Sequence, residues 1–144
     1  MKKQAVIILL LIIVITIIVA FAVTQNVNQE KALTQYNAQY NKFLNQKVLG
    51  TDVASLINKA MDTNDRNNIE KDEKDYYIPN TTNSIKIYVK LVNKPDGEQF
   101  PMERIYNVGI TEFVKNFSLE DFTCTNVKYH KDTGQVSEIY FEVI

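Results

Sequence analysis

Tryptophan is missing from the 144 residues, cysteine and histidine occur once each, at Cys124 and His130, and there are only three prolines and four glycines. A single cysteine allows no intramolecular disulfide, so a domain exposed to an oxidising space must be held by its core alone. It also lies far from the N-terminal apolar run, which excludes lipidation at a cysteine just past a leader. An excess of one charge is lacking as well: 16 Lys and Arg stand against 17 Asp and Glu, which gives no basic surface for a polyanion and argues against nucleic acid. No glycine-rich phosphate loop, zinc-ligand spacing, G-x-S-x-G or S-x-x-K is found. The expectation is a chain that is not an enzyme, with no catalytic, cofactor-binding or metal residues to assign and no cofactor.

What is present begins with residues 5–23, AVIILLLIIVITIIVAFAV, which carry no charge, glycine or proline and only Thr16 as a polar side chain. At about 1.5 Å per residue such a helix approaches the roughly 30 Å of a bilayer's hydrocarbon core. Lys2 and Lys3 precede the run, and residues 24–29 after it are uncharged. By the positive-inside rule, residues 1–4 lie in the cytoplasm, 5–23 span the cytoplasmic membrane and 24–144 form a domain outside it. Membrane lipid is thus the expected partner of residues 5–23. The rival is a cleaved signal peptide, since Ala20-Phe21-Ala22 forms an A-x-A site with cleavage after Ala22. The apolar stretch exceeds the usual h-region of about 7–15 residues, which favours a retained anchor.

Beyond the span, Val27, Leu33, Tyr36, Tyr40, Phe43 and Leu44 recur mostly three or four residues apart, predicting that the helix continues to about residue 48, with Gly50 ending it. Thr51 can cap a short amphipathic helix over 52–61, with Val53, Leu56, Ile57 and Ala60 on one face. Residues 62–76 are polar without apolar periodicity and predict an exposed loop. Alternation over 84–92 predicts a half-buried strand, Lys94-Pro95-Asp96-Gly97 a turn, and 100–106 an antiparallel return strand kept to an edge by Pro101. One or two helical turns follow over 111–117. Residues 122–130 and 135–143 predict a closing hairpin, with Gly134 available for a positive φ. The fold class expected is α+β: a long N-terminal helix, a short second helix and an antiparallel sheet of about four strands.

Three constellations bear on chemistry. Cys124 and His130 are the residue types of a nucleophile and base, but no third group orients them; Cys124 is expected to be small and buried, His130 solvated. Glu70, Asp72, Glu73 and Asp75 alternate with Lys71 and Lys74, the pattern of a solvated loop rather than of paired acids. From Asp62, the positions of Asn64, Asn68 and Glu73 approach calcium-loop spacing, but Arg66 takes a ligand position and Asn67 that of the turn glycine.

A long N-terminal helix, apolar then amphipathic, followed by a small domain ending in antiparallel strands, resembles the type IV pilins and the pseudopilins of related secretion machines. The likeness is one of layout over the whole chain. Those families cut a short basic leader before the apolar run and carry a glutamate within it; here no glycine precedes the run and the first acid is Glu30, so no functional residue is carried over. It implies a subunit of a cell-surface assembly. The function expected is therefore a structural or interaction part of a cell-envelope assembly, with a protein partner and possible self-association; the alternative is a tethered ligand-binding or sensory ectodomain.

Overall fold

A computed structural model describes residues 2–92 and 96–144, so Lys94 and Pro95 of the expected turn lie outside the described residues. The chain forms two units, Met1–Gln35 and Tyr36–Ile144. The first is helical. Helix α1 (Lys2–Asn41) contains neither glycine nor proline, and its apolar side chains from Val6 to Val23 are all exposed. Its polar groups are satisfied internally: the Thr16 hydroxyl donates to the Ile12 carbonyl at 2.8 Å and that of Thr24 to Ala20 at 2.9 Å. Among the described residues this is one helix long and apolar enough to cross a membrane, a test that a signal sequence also passes.

The second unit is α+β, as expected. It contains the end of α1, β1 (Lys47–Leu49), α2 (Gly50–Arg66), β2 (Lys86–Lys90), β3 (Gln99–Pro101), α3 (Met102–Phe117), β4 (Asp121–Tyr129) and β5 (Val136–Val143). The sheet has five strands in the order β1-β4-β5-β2-β3. β4 and β5 form the expected hairpin, with Gly134 at φ 69° in its turn. β2 pairs with β5 in parallel, Ile87 beside Ile139 and Val89 beside Phe141, so the sheet is mixed rather than purely antiparallel. Tyr40, Ile57, Ile85, Ile87, Val89, Met102, Phe122, Ile139 and Phe141 fill the core.

Four boundaries differ from those expected. α1 stops at Asn41 rather than near 48: Asn45 takes a left-handed conformation at φ 58°, its N–H meets the Cys124 carbonyl at 3.1 Å, and the chain then pairs with β4 as β1. Gly50 opens α2 instead of ending α1. An added Cβ there would sit 1.9 Å from the Phe117 carbonyl oxygen, so glycine is what lets α2 approach the end of α3. α2 runs on to Arg66 because Thr63 and Asn64, polar in type, are buried. The return strand over 100–106 is only three residues long. The extended Pro101 starts α3, where the missing proline N–H costs no helical bond. Its helical backbone is broken at Gly109, whose φ of 123° and ψ of 114° are non-helical and suit glycine, and the stretch after the break, 110–117, matches the helical turns expected over 111–117.

Candidate functional site

The Cys–His pair does not come together. Cys124 is buried as expected, its thiol against the Asn126 carbonyl at 3.8 Å, and burial pushes its pKa up to about 11, away from nucleophilic use. His130 is buried too, correcting the expected solvated position: its Nε2 lies 2.6 Å from the Ser84 carbonyl, fastening the hairpin to the start of β2. The segment after α2 is less loop-like than expected. Ile69 and Tyr77 turn into the core, while Asp72 Oδ1 accepts from the N–H groups of Tyr76 and Lys74, and the Tyr76 bond above all holds its carboxyl below the usual range. Of the calcium-spaced residues, Asp62 and Asn64 lie within α2, and both ends of the Asn64 amide are committed to Ile85, at 2.8 Å to its N–H and 2.8 Å to its carbonyl. Among the described residues, no group of three or more His, Cys, Asp or Glu is placed to hold a metal ion.

Sequence reasoning missed a buried ion pair. Glu103, wholly buried at the start of α3, accepts from Lys86 Nζ at 2.5 Å and from the Tyr77 N–H at 3.2 Å, both through Oε1. Oε2 has no partner among the described residues. The pair ties β2, α3 and the Tyr77 segment together where the strand alternation puts Lys86 on the face opposite Ile85 and Ile87. Only the alternation hinted at this, because nothing in the sequence says that residues 67–85 return to cover that face.

Among the concavities of the second unit, two stand out by their lining. Leu91, Phe100, Ile105, Val108, Phe113 and Phe117 line an apolar groove of about 230 Å³ along α3. Arg104 at its rim stacks on Phe100 at 4.5 Å and pairs with Glu98 at 2.6 Å.

The second is a polar cleft of about 470 Å³ within the second unit. Tyr36 and Gln39 come from the last turns of α1, and Lys59, Thr63 and Arg66 form one face of α2; Asn67, Asn83 and Gln135 complete it. Side-chain amides hold its walls: Asn37 bridges to the hairpin through the Gly134 carbonyl at 2.8 Å and the Val136 N–H at 2.9 Å, and Asn67 donates to the Asn83 carbonyl at 2.9 Å. The Tyr36 and Tyr40 rings meet edge to face at 5.5 Å, with their hydroxyls buried and without hydrogen bonds among the described residues. Thr63 lies beside Tyr40, but its own hydroxyl donates to the Lys59 carbonyl at 2.7 Å. Burial, and then the neighbouring Tyr40, pushes the Tyr36 phenol well above its ordinary range. Burial raises Tyr40 as well. Chemically the cleft offers two cations, amides and hydroxyls, and no carboxylate.

No protein-family model, no curated protein sequence and no solved structure matches this chain.

Proposed function

We propose that the chain is a single-pass protein of the cytoplasmic membrane, anchored by residues 5–23 with its N-terminus inside, and that the domain outside serves a cell-envelope assembly as a structural or interaction part rather than as an enzyme. The observation that carries this is the run from Val6 to Val23, every apolar side chain of which is exposed. All of its residues except Thr16, Ala20 and Ala22 are Val, Ile, Leu or Phe. Each of these favours insertion by about 0.3–0.6 kcal/mol near a bilayer's centre, and the Thr16 hydroxyl brings its own acceptor. Crosslinking in intact cells, followed by purification from membranes, tests the assembly: a discrete adduct with a partner or with further copies of the chain is expected, and a chain recovered only as an uncrosslinked monomer counts against it.

The polar cleft favours a second reading, a tethered ligand-binding ectodomain. Thermal unfolding in the presence of candidate solutes tests it, a raised midpoint being the supporting outcome.

A further inference from the structure

The cleft between the end of α1, α2 and the β4–β5 turn holds more polar groups than its architecture uses. Asn37, Asn64 and Asn67 already fasten its walls through hydrogen bonds to backbone. Four further groups do nothing for the fold. Lys59 forms no ion pair among the described residues and only approaches the Tyr40 ring, at 5.9 Å. The Arg66 guanidinium uses just its Nε, on the Asp62 carbonyl at 3.3 Å, and the side-chain amides of Gln39 and Gln135 make no hydrogen bond among the described residues. The nearby acid Asp65 is occupied elsewhere, by the Tyr77 hydroxyl at 2.7 Å and by Lys71 at 3.5 Å.

From this arrangement we infer that the cleft binds a phosphate ester that also carries hydroxyl groups, such as a sugar or polyol phosphate. Lys59 and Arg66 are seven residues apart on one helix, about 10 Å along its axis, and their long side chains can close on one phosphate from two sides. No carboxylate is among the lining residues, although Asp62 and Asp65 neighbour Arg66 on α2, so the two cations of the lining favour an anion over a cation there. Gln39 and Gln135 each present a donor and an acceptor, which suits hydroxyls, groups that are both. The volume of about 470 Å³ falls in the range of small-molecule sites. Walls fixed by asparagine bridges lower the ordering cost of binding. The same phosphate chemistry exists free in solution and on a lipid headgroup.

The inference deepens the ligand-binding reading, and its failure leaves the anchor untouched. The test uses the full chain in neutral-detergent micelles, following the side-chain amide resonances of Gln39 and Gln135 and the Arg66 Nε–H by NMR. Titration with glucose 6-phosphate or glycerol 3-phosphate is expected to shift these signals saturably, about tenfold more tightly than glucose or inorganic phosphate. The exposed pair Lys59→Gln with Arg66→Gln is expected to weaken binding by at least about tenfold while the unfolding temperature stays unchanged. A parallel titration with nanodiscs containing phosphatidylglycerol identifies the source: shifts there but not with the soluble esters assign the phosphate to a headgroup. No saturable shift in either arm overturns the proposal, as do shifts that persist unweakened in the double variant. Inorganic phosphate binding as tightly as the esters overturns the role given to the hydroxyls.

Discussion

Glu103 and Lys86 illustrate how much of this domain is decided by single buried side chains. Removing one partner leaves the other as an uncompensated charge in the core, a loss of about 3–5 kcal/mol. Glu103→Ala in the full chain is therefore expected to lower the urea midpoint sharply, whereas Lys86→Met with Glu103→Leu is expected to recover most of the loss. Equal destabilisation by the single and double changes would contradict this. Gly50→Ala has a different cause, since its new Cβ would meet the Phe117 carbonyl oxygen at 1.9 Å. Backbone on both sides leaves nothing flexible to give way, and a loss of about 3 kcal/mol or more is expected by chemical denaturation. The phenols set an alkaline limit. Burial raises Tyr36, Tyr40 and Tyr77 above the value near 10 that they regain on unfolding, so above roughly pH 10 the unfolded chain binds fewer protons and stability falls as pH rises. Absorbance at alkaline pH should show these three ionising only with unfolding. Their ionisation in a chain still folded would contradict it.

Among elements, those with strong periodicity were legible and those fixed by distant polar contacts were not. The β4–β5 hairpin and β2 follow from alternation and turn chemistry, and the apolar part of α1 from length alone. The last turns of α2 were hidden because Thr63 and Asn64 read as loop residues, yet Asn64 replaces a backbone partner for Ile85 at both its N–H and its carbonyl. Asn64→Ala is expected to cost about 2–4 kcal/mol, since two buried backbone groups lose their partners. Hydrogen exchange of the Ile85 amide checks it, with faster exchange expected in the variant than in the parent and unchanged protection contradicting the role. The return strand expected over 100–106 gives way to helix after Pro101, because proline ends a strand by type yet also suits a helix start, whereas the turns over 111–117 are legible and form the part of α3 after the non-helical Gly109. The parallel pairing of β2 with β5 has no local signal, as it depends on where the intervening β3, α3 and β4 are placed. The cleft has no local signal for a similar reason: its residues come from four separate stretches, none carrying a motif.

For the whole molecule, the chain divides into two units: the first carries an exposed apolar run that lipid would accept better than water, and the second has a closed core. On the proposed anchoring, substitutions in the cleft are expected to leave membrane association intact. Exchanging Lys2 and Lys3 for glutamate should weaken the bias that keeps the N-terminus inside. Retention of residues 5–23, and with it the hold of the domain on the membrane, is tested by the intact mass of the native chain, measured separately in carbonate-washed membranes, in material sheared from the cell surface and in the soluble fraction. A full-length mass confined to membranes is expected; a chain beginning after Ala22 and recovered in the soluble fraction would contradict it.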